Sequence, residues 1–149
     1  DKREGEYREF HATGALRELG QFINDQRQGT WVTYHPNGQV YTKGAYKDNA
    51  ASGLWEVYYP DSAQKQWGTY EKGLAQGEWK YFHENGQLRL QGPYHADKRS
   101  GEWLMYDKNG LLQARMQYTN GQLHGRQLIY APDGNIQEVS IYDNGRQVK

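Results

Sequence analysis

Residues 77–94 read GEWKYFHENGQLRLQGPY. A glycine opens the stretch, an aromatic-rich run ends at Phe82, a turn carries Asn85 and Gly86, and an alternating run ends at Tyr94. Two alternating runs on either side of residues that tolerate left-handed backbone describe a β-hairpin. Self-comparison shows that it is one tile of an array. Glycines at 5, 29, 53, 77, 101 and 125 stand 24 residues apart every time. Counted from each glycine, offset two holds Tyr7, Trp31, Trp55, Trp79, Trp103 and then Gln127. Offset five holds Phe10, Tyr34, Tyr58, Phe82, Tyr106 and Tyr130, and offset seventeen holds Phe22, Tyr46, Tyr70, Tyr94, Tyr118 and Tyr142. These columns take 17 of the 21 aromatic residues, so the quoted hairpin is the fourth of six tiles that fill residues 5–149 without insertion.

Each tile carries its own punctuation. Offsets seven to nine read Pro36-Asn37-Gly38, Glu84-Asn85-Gly86, Lys108-Asn109-Gly110 and Pro132-Asp133-Gly134, the chemistry of a short turn with a glycine bulge. The third tile has Pro60-Asp61-Ser62 instead, which predicts a looser turn. A second turn near offset twenty carries Gly73, Gly121 and Gly145. Offset eleven (Leu16, Val40, Gln64, Leu88, Leu112, Ile136) shares a face with offset seventeen, and offset fifteen on that face is glycine in the first four tiles. A strand glycine leaves room for a neighbouring indole to lie over the backbone. The expected fold is all-β: a single domain over residues 1–149, an elongated antiparallel meander of six hairpins in one open, curved sheet. Its twelve strands would bury the aromatics of offsets two and five.

Composition narrows the function. Eighteen Lys and Arg balance eighteen Asp and Glu, so no global field draws the chain to nucleic acid. The absence of cysteine excludes a disulfide scaffold, a thiolate metal site and a cysteine nucleophile. A mean hydropathy of -1.12 would suit a disordered chain, but Trp and Tyr bury large areas and supply an aromatic core. The chain begins at Asp1 and shows no signal-like or membrane-spanning run, which reads as a trimmed or mature form. The periplasm, after removal of an export signal, is favoured over the cytoplasm.

The pattern G-x-W-x-x-[YF]-x-x-[ND]-G-x-[LV], followed by an aromatic and a closing glycine, resembles MORN repeats. It is most similar to the bacterial variant found in the YwqK-like antitoxin family. The resemblance covers nearly the whole chain, with departures at Gln127, Ser62, Met116 and Ser140; the sixth tile is the least typical and reads as a C-terminal cap. It implies arrays of hairpins that bind other proteins, with bacterial members acting as antitoxins or as immunity proteins beside secreted effectors. Binding of membrane phospholipid, proposed for some eukaryotic members, is the alternative it implies.

Catalytic chemistry finds little support in the residues. His11, His35 and His83 share offset six, but equivalent residues in successive tiles lie roughly 10 Å apart, at about 4.8 Å per strand. Zinc donors must converge within about 2 Å of one ion, so this ladder holds no metal. Glu78 and Glu102 stand one tile apart, within reach of the roughly 5–9.5 Å of a glycosidase pair, but a single-layer sheet supplies no deep pocket to split their pKa values. Neither an enzyme nor a cofactor is expected. One surface is unexplained by the repeat. Offsets twelve and fourteen, on the face away from the aromatic columns, carry Arg17, Tyr41, Lys43, Lys65, Trp67, Arg89 and Arg115, and no acidic residue. Arginine and aromatic residues are enriched at interface hot spots, so this stripe is the expected partner-binding surface, facing an acidic patch on a toxin or effector. The competing reading is a solvated strand face with ion pairs to neighbouring glutamates.

Overall fold

A computed structural model describes residues 1–149 and forms two compact units, Asp1–Leu74 and Ala75–Lys149. Neither unit contains a helix. In the first, β1 (Gly5–Phe10), β2 (Leu16–Ile23), β3 (Gln26–Tyr34), β4 (Val40–Lys47), β5 (Ala50–Tyr58) and β6 (Gln64–Glu71) each pair antiparallel with the strand before. In the second, β7 (Leu74–Phe82) pairs with β8 (Leu88–His95), which takes β9 (Lys98–Arg99) and β10 (Gly101–Tyr106) as its next neighbours. The meander continues through β11 (Leu112–Thr119), β12 (Gln122–Leu123), β13 (Gly125–Tyr130), β14 (Ile136–Asp143) and β15 (Arg146–Gln147).

The first strand of each tile is kinked at its opening glycine. Gly29, Gly53, Gly77 and Gly101 have φ between 67° and 74°, a region that costs an L-side chain, which is why the glycine recurs at every period. The third tile's first turn is as tight as the others, contrary to the expectation from Ser62. Ser62 itself takes φ 70°, and its N–H donates to the Tyr59 carbonyl at 2.9 Å, as Gly38 does to His35. Asp61 accepts the Ala63 N–H at 3.0 Å, the same side-chain turn bond that Asn37 makes to Gln39, so the turn keeps its form with serine in the glycine's place.

The core is a zigzag of rings. In the first unit Phe22, Trp31, Tyr46, Trp55 and Tyr70 follow one another edge to face at 5.1–6.0 Å. In the second, Trp79, Tyr94, Trp103 and Tyr118 do the same at 5.1–6.3 Å. Such pairs add about 0.5–1.5 kcal/mol each beyond the area they bury. Trp31, Trp55 and Trp103 lie flat on Gly20, Gly44 and Gly92, where any Cβ would fall inside the indole. Trp31 and Trp103 are 2 % and 0 % exposed. The offset-five aromatics are less buried than expected: Tyr34, Tyr58, Phe82, Tyr106 and Tyr130 are half-buried and Phe10 is 56 % exposed. Phe10 lies on β1, which has a strand on one side only, so half of its packing is missing.

Fifteen strands stand where twelve were expected. Two of the extra boundaries come from long first strands broken at Ser100 and His124, each with a local cause. Pro93 has no N–H, so of the narrow pair that Ala45 and Ser52 make two periods earlier only Ser100 N–H to Pro93 C=O (3.0 Å) remains. At the other break the Gln117 N–H is taken by the Gln127 side chain at 2.9 Å. β15 is the C-terminal tail pairing back on β14.

Candidate partner-binding surface

Successive side chains on a strand face opposite ways. Trp67 therefore lies on the face opposite Gly68, whose cross-strand partner is the core Trp55. Lys43, Trp67 and Arg115, at offset fourteen, are thus outside. At offset twelve the bulge before offset five breaks the alternation, and Arg17 and Arg89 reach Glu9 and the Tyr81 ring on the side of the aromatic core, so the expected stripe is not one face. It is also divided between the units. Arg17 on β2, Tyr41 and Lys43 on β4, and Lys65 and Trp67 on β6 belong to the first unit. Arg89 on β8 and Arg115 on β11 belong to the second. Arg17, Tyr41, Lys43, Arg89 and Arg115 are exposed; Lys65 and Trp67 are half-buried.

Several of these side chains already have partners. Arg17 reaches Glu9 at 2.7 Å and Arg115 reaches Glu102 at 3.4 Å, both at the surface, where such pairs contribute about 0–1 kcal/mol. Lys65 Nζ sits 5.5 Å from the Tyr59 ring and Arg89 5.9 Å from Tyr81. Tyr41 packs against His35 with ring centroids 4.6 Å apart.

Register adds residues that reading the second strands alone missed. Lys43 lies between Val32 and Glu56 in the cross-strand row, and Glu56 is also opposite Trp67. An acid therefore sits inside the basic stripe. In the second unit the same row runs Gln91, Leu104, Arg115, Leu128, Val139, so Arg115 is flanked by leucines rather than by other cations. The signal was available in the offset-three column, which carries Glu56, Leu104 and Leu128.

Beside Arg17 and Tyr41 the first unit has an open groove of about 530 Å³, lined also by His11, Tyr34, His35 and Pro36. The histidines are held in place. His11 donates Nε2–H to the Tyr34 carbonyl at 3.0 Å and His35 to Tyr58 at 2.9 Å; in the second unit His83 does the same to Tyr106 at 2.9 Å. Each ring ties one tile to the next, and no group of three His, Asp or Glu side chains converges on a metal position. Tyr58 has its phenol pushed up by burial and by the neighbouring Glu56.

The repeat geometry is matched by a family model described as MORN repeat variant, over residues 3–24, 27–48, 75–96, 99–122 and 123–144. The chain belongs to the MORN repeat variant family. No curated protein matched the chain. The MORN match leaves out residues 49–74, although β5 and β6 there form the same hairpin, with the same bulge before offset five. The third tile is the one with Ser62 in the turn and Tyr59 where its neighbours have His35 and His83. It also contributes Lys65 and Trp67 to the stripe.

Proposed function

We propose that this MORN array, a repeat binding module, is a non-catalytic immunity or antitoxin protein that grips a toxin or secreted effector and blocks it. The observation that carries the reading is an open, aromatic-lined groove of the first unit, bordered by the exposed Arg17 and Tyr41. Rigid aromatic rings beside cations are the composition of interface hot spots. The similarity to YwqK-like antitoxins supplies the partner class.

In this reading Trp67 and Tyr41 anchor a partner with an acidic patch, while Lys65 and Arg89 govern encounter and specificity. Exposed charges are screened within about 10 Å at 0.1 M salt, so association is expected to slow as salt rises. The partner is to be captured from the native organism and titrated against folded Trp67→Ala and Lys65→Glu/Arg89→Glu variants. Trp67→Ala is expected to lose 2 kcal/mol or more, roughly the hot-spot threshold, and the double variant to lose on-rate. Unchanged affinity in both would move the interface off the stripe. Cosedimentation with anionic vesicles in place of protein capture would favour the phospholipid reading.

A further inference from the structure

Five asparagines of the chain precede a glycine: Asn37, Asn85, Asn109, Asn120 and Asn144. With no Cβ beside it, a glycine nitrogen is the backbone group best able to approach the preceding asparagine side chain. In a free chain such pairs cyclise with loss of ammonia, so the hold that the fold has on each side chain decides which survive.

Three of the five sit at offset eight of a first turn, and two of those are tied at both ends. Asn37 accepts the Gln39 N–H at 3.0 Å and donates to the Pro60 carbonyl of the next tile at 2.7 Å. Asn85 accepts the Gln87 N–H at 3.0 Å and donates to the Lys108 carbonyl at 2.7 Å. The fifth tile is wired differently. Where the second and fourth have His35 and His83 at offset six, it has Asp107, whose Oδ1 accepts the Asn109 N–H at 2.8 Å and the Leu111 N–H at 2.9 Å. Leu111 is the counterpart of Gln39 and Gln87, so a carboxylate has taken the bond that an asparagine amide holds elsewhere. The Asn109 side chain is left exposed, bonded neither to Leu111 nor to the next tile.

The other two pairs lie in second turns and are restrained by their glycines. The Gly121 N–H donates to the Arg99 carbonyl at 2.9 Å and the Gly145 N–H to Leu123 at 2.8 Å, each reaching back to the strand one period earlier. The Gly110 N–H bonds only within its own turn, to the Asp107 carbonyl at 3.1 Å. Asn144 is held further by donating to Asp143 at 3.1 Å.

We propose that Asn109 is a site of spontaneous deamidation, the asparagine–glycine pair that this fold leaves reactive. The Gly110 nitrogen gives its proton to solvent hydroxide and attacks Asn109 Cγ, closing a succinimide. The bond from Cγ to the side-chain nitrogen breaks, and that nitrogen takes a proton from water and leaves as ammonia. Water then opens the ring at either carbonyl to give aspartate or isoaspartate, so the net change consumes one water and releases one ammonia. Either product sets a second carboxylate near Asp107, beside the groove lined by Asp107, Leu111, Tyr130 and Pro132. The sixth tile already carries an aspartate at this offset, Asp133, whereas isoaspartate lengthens the backbone of the turn that Asp107 closes. The inference does not rest on the protein-binding reading.

The test holds the folded full chain in mildly alkaline buffer, well below its melting point, and follows amide-to-acid conversion by tryptic mass spectrometry. The five pairs fall on five different tryptic peptides. Asn109 is expected to convert several-fold faster than Asn120 and Asn144, with Asn37 and Asn85 slowest. In urea the five are expected to converge on similar rates. His83→Asp gives the fourth tile the wiring of the fifth and is expected to speed Asn85 several-fold, while Asp107→His is expected to slow Asn109, each variant first shown to be folded by circular dichroism. Another pair converting first, Asn37 or Asn85 keeping pace with Asn109, the same ranking in urea, or rates unmoved by both exchanges would each overturn the assignment.

Discussion

The slot between the fourth and fifth tiles and the slot between the fifth and sixth are built on the same backbone and filled in opposite ways. In the first, Trp103 lies flat on Gly92 and donates its indole N–H to the Pro93 carbonyl at 3.1 Å. In the second, Met116 replaces the glycine and leaves no bare backbone for an indole, and Gln127 stands where the tryptophan would be. Gln127 is 4 % exposed, and its amide donates to the Gln117 carbonyl at 3.3 Å while accepting the Gln117 N–H at 2.9 Å. Trp103 gives Pro93 only a donor, as Trp55 does to the Ala45 carbonyl at 3.1 Å, whereas Gln127 engages both backbone groups of Gln117. Met116 and Gln127, which look like two separate departures from the repeat, are one compensated change.

The largest expected effect is at the apolar slot. Trp103→Ala should lower unfolding stability by about 3–5 kcal/mol in urea titration, the range for large aromatic truncations. A loss under about 1 kcal/mol would show that the indole is not the centre of the slot.

The intermediate effect is at the polar slot. Gln127→Trp with Met116 retained should cost about 1–3 kcal/mol by overpacking. Met116→Gly with Gln127→Trp should recover part of that loss, because the pair would then repeat Gly92 and Trp103. A cycle in which the two changes add without coupling would separate them again.

The smallest effect compares the turns. Asn37 and Asn85 accept the N–H two residues on with an amide oxygen, which does not titrate (3.0 Å in each). In the sixth tile Asp133 does the same for Asn135 with a carboxylate at 2.9 Å, and that bond from the Asn135 backbone holds its pKa below the ordinary 3.8. A depressed carboxylate stabilises the fold above its unfolded pKa and loses that contribution as pH falls through the folded value. Asp133→Asn should therefore flatten the acid limb of the stability profile below about pH 4 and leave neutral pH nearly unchanged. An unaltered acid limb would remove Asp133 from it.

The hairpins and the indole-on-glycine contacts were legible in the sequence because both depend on local chemistry: a positive φ, an alternating run, a missing Cβ. The strand breaks at Ser100 and His124 were not, since each depends on what an adjacent strand offers, a proline in one case and a side-chain amide in the other. The stripe shows the same limit. Alternation placed Lys43 and Trp67 outside but could not foresee the bulge that turns Arg17 toward Glu9, and only cross-strand register reveals Glu56 between Lys43 and Trp67. The asparagine–glycine pairs were plain in the sequence, yet which one is loose shows only once Asp107 is seen holding the Leu111 N–H.

An array of near-identical hairpins has a hazard of its own while it folds. A chain displaced by one 24-residue period would set hairpin beside hairpin with most ring contacts re-formed, and such a slipped form competes with the proper one. Met116 and Gln127 mark one place along the chain as unlike the rest. Any slip of one period would press an indole onto Met116 or leave the Gln127 amide facing a glycine with its hydrogen bonds misplaced. The paired exception thus serves as an address within an otherwise repetitive polymer.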